Sequence, residues 1–389
     1  MDFKYLVHYG ELGLKGRNRP QFEERLVANI RYQHPGTTVE RRNGRLVVTS
    51  PREIDLSNVF GIAWWAPARL IESDPKRIEE EVLEEARRYA STASSFAVRV
   101  NRPYKEFPMK TPEIERWLGS RVQELTNLPV NLTHPDLTFH LEITGRTTFL
   151  HTRRNPGIRG LPVGVSGRLV GLFSGGVDSV VATYMMARRG AKVELVHFYA
   201  LHDPQIVHEE KVGELVRLLS HFIPRLRIHY FPYHRFQVTG LAISGPLQRQ
   251  ELVVFRRFMV RVAQKLAQQR KAPGLFTGDS LGQVASQTLP NLRAMDDIAE
   301  LSIFRPLCGM DKEEIIDYAR RIGLFEAATK PYKDCCSLIA RNPATVARMS
   351  QVLEIEKLIG IDELVERTLE ERTTYDVSPE DQQLQSSDA

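Results

Sequence analysis

The stretch Leu169-Val170-Gly171-Leu172-Phe173-Ser174-Gly175-Gly176-Val177-Asp178-Ser179-Val180-Val181-Ala182 constrains the fold more than any other part of the chain. An apolar run enters a Ser-Gly-Gly-x-Asp-Ser turn and leaves as a Val/Ala/Met-rich segment, which reads as strand, glycine loop, helix. Gly175 and Gly176 are free to take backbone angles closed to other residues, and they leave no side chain between the chain and a ligand. Backbone N–H groups at the start of the next helix, reinforced by its dipole, then face an anion, and Ser174 and Ser179 add hydroxyl donors. Asp178 has the wrong charge for a phosphate ligand unless it holds a metal ion or polarises the loop; a magnesium role follows from the first of these. A Walker loop is excluded because no Gly-x-x-x-x-Gly-Lys-Ser/Thr occurs, and a dinucleotide fingerprint because no Gly-x-Gly-x-x-Gly follows this strand.

Around that loop the pattern alternates. Residues 192–199, 226–231, 274–277 and 302–304 read as strands, and residues 207–219, 247–269 and the segment from Asp311 to Arg321 as helices. The expected fold class is α/β, a C-terminal doubly wound parallel sheet that takes ligands at the carboxyl ends of its strands. Ahead of it, a strand at 3–9, a helix at 19–32, a hairpin turned by Asn43-Gly44, and a further short helix and strand through 68–71 predict a ferredoxin-like α+β unit. A second α+β unit follows, with a helix opened by Asp74-Pro75, a strand at 96–100, a helix at 111–125 and strands at 137–143 and 147–151. A Gly/Pro hinge at 155–162 leads out of it. The expected divisions are 1–72, 73–164, 165–372 and an acidic, disordered tail at 373–389.

Composition narrows the chemistry. At 389 residues, 42% hydrophobic and 26% charged, the chain is expected to be a globular protein of two or three domains. No run reaches the length of a membrane span, and Met1-Asp2-Phe3-Lys4-Tyr5 lacks the regions of a signal peptide, so the cytoplasm is the expected location, with no membrane partner. Three cysteines, Cys308, Cys335 and Cys336, with no Cys-x-x-Cys, exclude a disulfide framework, a zinc ribbon and a thioredoxin-type dithiol. They leave a reactive thiol or plain burial; Cys308 reads as buried. The net charge is +5, and residues 1–160 hold 25 Lys+Arg against 20 Asp+Glu, which predicts a polyanion lying on the basic stretches.

The 174–179 turn resembles the PP-loop of the ATP pyrophosphatases, in which ATP is cleaved to AMP and pyrophosphate while a substrate oxygen is adenylated. Further phrases resemble one family within that group, the tRNA 4-thiouridine synthetases (the ThiI family), across nearly the whole chain. Tyr9-Gly10-Glu11-Leu12, Leu14-Lys15-Gly16-Arg17-Asn18-Arg19 and Val59-Phe60-Gly61-Ile62 resemble its ferredoxin-like domain. Asn131-Leu132-Thr133-His134-Pro135-Asp136 and Leu161-Pro162-Val163-Gly164 resemble its RNA-binding THUMP domain. Thr277-Gly278-Asp279-Ser280-Leu281-Gly282-Gln283-Val284-Ala285-Ser286-Gln287-Thr288 and Pro331-Tyr332-Lys333-Asp334-Cys335-Cys336 complete the likeness. Val180 stands where many relatives have Pro.

The resemblance implies an enzyme that adenylates the C4 oxygen of a tRNA uridine, conventionally position 8, and replaces it with persulfide sulfur. Leu172, Phe173, Ser174, Gly175, Gly176, Val177, Asp178, Ser179, His197, Phe198, Arg256, Gly278 and Gln287 would then line the ATP site. Arg256 would offer a planar fork to phosphate and Gly278 would permit close approach. Phe198 as plain core and Arg256 as an exposed helix charge remain the bland readings. Alignment on Leu338-Ile339-Ala340-Arg341-Asn342-Pro343 favours Cys336 over Cys335 as the thiol, with Lys330 and Lys333 lowering its pKa. Some relatives append a rhodanese domain with a sulfur-accepting cysteine. Only a polar tail follows residue 373 here, so the expected donor is a separate cysteine desulfurase or other source of persulfide or sulfide, and the thiazole-forming role of longer members is not carried over. ATP and magnesium are the implied cofactors, tRNA the partner, and a homodimer the expectation for an enzyme that grips one tRNA from two subunits. Lys15, Arg17, Arg19, Arg41, Arg42, Arg102, Lys105, Arg153 and Arg154 would meet RNA phosphates, and Tyr104 and Phe107 either stack on a base or pack in the core. The rivals are a PP-loop tRNA 2-thiouridylase and a non-catalytic THUMP RNA-binding protein.

Overall fold

The computed structural model describes residues 2–42, 44–200, 203–332, 334–339 and 343–378, apart from the Ser337 side chain, and the chain divides into two units, residues 1–160 and 161–389. In the first unit, β1 (Phe3–Tyr9) buries Tyr5, Leu6 and Val7, and α1 (Arg19–Gln33) starts with Pro20 in its first turn. The hairpin is β2 (Thr38–Arg42) and β3 (Arg45–Ser50); Asn43 of its expected turn lies outside the described residues. With β4 (Ile62–Pro67) and the two-residue β9 (Asn155–Pro156) they form an antiparallel sheet in the order β2-β3-β1-β4-β9.

The second sheet runs β5-β8-β7-β6, from β5 (Arg69–Glu72), β6 (Phe96–Asn101), β7 (Leu137–Ile143) and β8 (Thr147–His151). It is covered by α2 (Pro75–Tyr89), capped by the Asp74 carboxylate, and α3 (Thr111–Thr126). Their apolar residues at helical spacing, Ile78, Val82 and Ala86 with Ile114, Leu118 and Val122, share one core. Two expectations are corrected here. Turns, not a helix, precede β4, and the strand expected to end the first sheet belongs to the second, because Ile71 packs into the core beneath α2 and α3. Leu6, Val47 and Phe149 join the two sheets, beside a buried Arg45–Glu142 ion pair.

The second unit begins earlier than expected: the N–H groups of Leu161 and Gly164 donate to the Arg188 and Gly190 carbonyls, tying these residues to the segment that follows. Its elements are β10 (Arg168–Leu172), α4 (Val177–Arg188), β11 (Lys192–Tyr199), α5 (Pro204–Glu209), α6 (Lys211–Ser220), β12 (Leu226–Pro232), α7 (His234–Gly240) and α8 (Glu251–Gln269). There follow β13 (Gly274–Phe276), α9 (Leu289–Asp296), β14 (Ser302–Phe304), α10 (Lys312–Arg321), α11 (Phe325–Thr329), α12 (Cys335–Ile339), α13 (Met349–Leu358), α14 (Ile361–Glu370) and β15 (Thr373–Val377). The expected helix at 207–219 is split, since Glu210 leaves helical geometry between α5 and α6.

The sheet order is β14-β13-β10-β11-β12-β15, parallel except for β15. β15 overturns the expected start of the disordered tail. Residues 373–377 pair antiparallel with β12, Asp376 grips Arg227, and Tyr375 stacks on His208, so a polar sequence serves here as a sheet edge. Residues 379–389 lie outside the described residues. The chain moves from β10 outward through β11 and β12, then returns to place β13 on the other side of β10. That reversal opens a crevice at the carboxyl ends of β10 and β13, where doubly wound sheets bind ligands.

Glu194 on β11 is buried and accepts from Arg270 Nε at 2.8 Å, with Arg168 at 3.2 Å and His229 at 3.1 Å. Burial alone would raise its pKa, but His229 and the two arginines outweigh it and hold the carboxyl at about 2. Because the folded value lies below the unfolded one, its stabilisation is complete above the ordinary glutamate range and is lost as pH falls toward 2. Glu194 is thus expected to account for roughly 2–3 kcal/mol of acid sensitivity. Urea midpoints at pH 5 and pH 3 should differ less in Glu194→Gln than in wild type; an unchanged difference would refute the assignment.

Candidate active site

The 174–179 turn sits at the carboxyl end of β10, as a phosphate cradle requires. Gly175 has φ +80°, closed to residues with a Cβ, and Gly176 is the N-cap of α4. The loop is knitted by its own hydroxyls: Gly176 N–H donates to Ser174 Oγ at 3.2 Å, and Ser179 Oγ to the Gly176 carbonyl at 2.9 Å. Val177 is buried, and neither it nor Gly175 and Gly176 lines the cavity formed beside the loop. Gly278 lies just beyond β13, against this loop. A Cβ there would stand 2.8 Å from the Asp178 carbonyl carbon and 2.8 Å from Ser179 N. The expected close approach is therefore made to the loop backbone.

One cavity is lined by Leu172, Phe173, Ser174, Asp178, Ser179, His197, Phe198, Arg256, Gly278, Gln287, Cys335 and Cys336, which gathers most of the residues expected from sequence. It adds Thr277, Asp279 and Gln283. Asp178 meets Lys312 Nζ at 2.6 Å and accepts from Gln283 Nε2 at 2.9 Å. Asp279 is buried; its Oδ1 accepts from Arg256 Nη2 at 2.6 Å and Gln287 Nε2 at 3.2 Å, and its Oδ2 from Thr277 Oγ1 at 2.7 Å. Burial would raise the Asp279 pKa, but Arg256 and Thr277 hold it down. Arg256 also donates to the Ser286 carbonyl at 2.8 Å, so it is neither an exposed helix charge nor a cation without a partner.

His197 is buried, and one ring nitrogen lies 2.8 Å from the Phe173 carbonyl, the other 2.7 Å from Tyr332 Oη. A carbonyl only accepts, so Nδ1 carries the proton and Nε2 accepts from Tyr332. Burial takes the ring pKa down to about 4, against the opposing pull of the Phe173 carbonyl and Asp334. His197 is thus a neutral spacer between the end of β10 and the cysteine segment. The Phe198 ring packs against Phe231, Phe255 and Phe258, which is the plain core reading; its carbonyl accepts from Cys335 Sγ at 3.2 Å.

Cys335 is buried, whereas Cys336 and Cys308 are only half-buried. Burial pushes the Cys335 thiol up further than that of Cys336, which rises to about 12 despite Arg256 pulling it down. Of the lysines expected to acidify the thiol, Lys330 instead grips Glu214 at 2.6 Å, and Lys333 lies outside the described residues. So do residues 340–342 of the stretch on which the choice of Cys336 was aligned. Local sequence holds no signal for Lys312, which reaches Asp178 from 134 residues away, whereas Tyr332 stands in the 331–336 phrase. Asp279 and Gln283 lay within the 277–288 phrase, and their charge and amides were the available signal.

In the first unit the basic residues divide. Arg17, Lys105, Arg153 and Arg154 are exposed, with Arg154 stacked 4.4 Å over the Trp64 ring. Arg19 is tied to Tyr9 and Glu23, Arg41 to Glu24 and Arg42 to Glu40. Arg102 donates to the Tyr104, Lys105 and Phe107 carbonyls, fixing a loop. Lys15 Nζ sits 5.4 Å over Phe22, and Phe107 is core. No described helix is long and apolar enough to cross a membrane.

A glycine loop at the switch point of a parallel sheet, backed by two carboxylates and paired cysteines, defines a PP-loop nucleotide-binding domain; two α+β sheets precede it. Comparison with known proteins agrees. Residues 164–361 match the family described as thiamine biosynthesis protein (ThiI), residues 4–65 the ThiI ferredoxin-like domain and residues 72–153 the THUMP domain. The chain is 37% identical over 387 residues to a probable tRNA sulfurtransferase of Moorella thermoacetica, covering 96% of this chain and 98% of that one. With a counterpart in Thermus thermophilus the identity is 39% over 377 residues, covering 94% and 91%. A crystal structure of a 4-thiouridine synthetase–RNA complex with bound ATP matches with a TM-score of 0.87 at 31% identity, over 97% of this chain and all of that one. The chain belongs to the ThiI family of tRNA sulfurtransferases.

Two outcomes follow from the geometry. Iodoacetamide should modify Cys336 slowly at pH 8, the rate rising about tenfold per pH unit as the thiolate appears; peptide mass spectrometry resolves it from Cys308 and Cys335, and fast labelling at pH 7 would contradict the buried-thiol reading. Gly278→Ala should abolish ATP binding measured by calorimetry, because the added Cβ meets loop backbone rather than a movable side chain.

Proposed function

We propose that this protein uses ATP to adenylate a tRNA uridine, position 8 in the family to which it belongs, and then exchanges the C4 oxygen for sulfur. The observation that carries this is a single cavity holding both the 174–179 phosphate loop and Cys335 and Cys336. Adenylation and sulfur delivery need the same C4 atom, so they need the same cavity.

In the first step, uridine O4 attacks the α-phosphorus of ATP. The new P–O4 bond forms, pyrophosphate leaves, and the N3 proton passes to solvent water. The loop N–H groups and the positive end of α4 face the phosphates, and Lys312 supplies a cation next to them once it turns from Asp178. Magnesium supplies charge neutralisation when bound. Among the described residues no group of three His, Cys, Asp or Glu could hold a metal, so the ion fits here as one carried by the triphosphate and water, with Asp178 the adjacent carboxylate.

In the second step a sulfur nucleophile attacks C4 and the C4–O4 bond breaks, releasing AMP. Sulfide gives 4-thiouridine directly. A persulfide on Cys336 instead leaves a C4–S–S–Cys336 adduct, whose S–S bond a second thiol attacks, freeing the thiouridine and leaving Cys336 in a disulfide with that thiol. Cys336 is the better carrier because it is half-buried, whereas the Cys335 thiol is buried and bonded to the Phe198 carbonyl. A cysteine desulfurase is a suitable persulfide source. Arg17, Lys105, Arg153 and Arg154 are among the exposed cations of the first unit and are suited to RNA phosphates.

The test is mass spectrometry of nucleosides after unmodified tRNA reacts with ATP, magnesium and a persulfide donor. Wild type should yield 4-thiouridine, and Asp178→Ala should lower pyrophosphate release by about 100-fold or more. Cys336→Ser should release pyrophosphate but form no thiouridine. Loss confined to Cys335→Ser would exchange the roles of the thiols, and 2-thiouridine as product would replace the reaction proposed.

A further inference from the structure

Two glutamines in the cavity wall each hold a carbonyl oxygen that meets no donor and is sealed from solvent: Gln283 Oε1 and Gln287 Oε1. Their amides cannot be turned round. Gln283 Nε2 donates to Asp178, which is a carboxylate paired with Lys312, and Gln287 Nε2 donates to Asp279, a carboxylate paired with Arg256. In both cases the neighbour only accepts, so the nitrogen must face it and the oxygen must face away. Each resting amide oxygen therefore lacks a donor, which an occupant of the cavity can supply once the side chain shifts to uncover it.

The occupants of the proposed reaction offer few donors. Phosphate oxygens only accept. The donors of ATP are the adenine amino group and the ribose hydroxyls. Gln283 is anchored on Asp178, inside the phosphate loop, at the reacting end. The donor that the target base brings to this end is its N3–H, since N3 is bonded to the same C4 whose oxygen attacks. We propose that Gln283 Oε1 accepts the uracil N3–H, making Gln283 the residue that recognises uridine and draws electron density toward O4 for attack on ATP. This rests on the thiouridylation reading above.

The arrangement also excludes cytidine. Cytosine N3 is a lone pair, and a carbonyl oxygen pinned against it cannot rotate to offer the amide N–H while Asp178 holds the nitrogen. Access requires only a local movement. Gln283 lies between Leu281, 45% exposed, and Val284, 50% exposed, so neither flank is locked into a core.

The experiment compares wild type, Gln283→Met and Gln283→Glu, each as full-length protein with intact tRNA, in single-turnover pyrophosphate release and ATP calorimetry. Gln283→Met should bind ATP within about twofold of wild type yet release pyrophosphate about 10- to 100-fold more slowly. With 5-fluorouridine at the target position, whose N3–H is more acidic, the variant should recover about tenfold while wild type gains less than about twofold. A residue with a merely structural role would not respond to that fluorine. Gln283→Glu keeps a carbonyl acceptor while its carboxyl shares a proton with Asp178, so it should retain activity at pH 6 and lose it as pH rises. That profile tests the idea even if Gln283→Met does not fold. An unchanged rate in Gln283→Met, an equal fluorine effect in both proteins, a flat pH profile in Gln283→Glu, or a loss of ATP affinity that accounts for the whole defect would each overturn the assignment. Wild type that forms neither pyrophosphate nor 4-thiouridine would instead count against the proposed function.

Discussion

The site depends on one close contact, where the end of β13 meets the phosphate loop. Gly278 lies so near the backbone of Asp178 and Ser179 that no side chain fits between them. The contact exists because the sheet reverses its strand order between β10 and β13, which sets the loops of two distant segments side by side. It fixes the register of everything after Gly278: Asp279 falls beneath Arg256, Gln283 reaches Asp178, and Gln287 turns back onto Asp279. A loop that held phosphates without this backing would lack both the carboxylate network and its two oriented amides.

The network has a repeated form. Each carboxylate, Asp178 or Asp279, takes a close cation and a glutamine, Lys312 with Gln283 and Arg256 with Gln287, and Asp279 has Arg305 at 3.7 Å as a second cation. The two differ in exposure. Asp279 is buried and its carboxylate is further fixed by Thr277, so this half behaves as a rigid support. Lys312 is 45% exposed in its side chain, so its pairing with Asp178 is a modest attraction that an arriving triphosphate can replace. One half positions and the other exchanges partners.

What the sequence made legible was local. Gly175, Gly176 and the serines of the loop declare their role through backbone freedom and spacing within six residues, and the strands of both units follow from alternation or apolar runs. Resemblance extended this to Gly278, Gln287 and the cysteines, which line one cavity. Long-range partners were out of reach. Nothing near Lys312 marks it as the partner of Asp178, because it looks like any residue behind a helix cap. For the same reason Arg19 and Arg102 read as RNA contacts when they bond within their own domain. Thr373–Val377 reads as tail because an edge strand needs little apolar surface, and only its pairing with β12 reveals it.

The cysteine pair closes the logic of the cavity. Burial keeps the Cys336 thiol protonated, and Arg256, the cation that pulls the other way, is itself held by Asp279. Under the proposed reaction, a free thiol in that setting is a poor nucleophile toward the adenylated base. A persulfide ionises far more readily than a thiol, so the burial that silences the unloaded side chain leaves the loaded sulfur reactive. Acidity alone then separates the two states. Under the proposed reaction, the burial around Cys336 thus makes sulfur transfer wait for the sulfur.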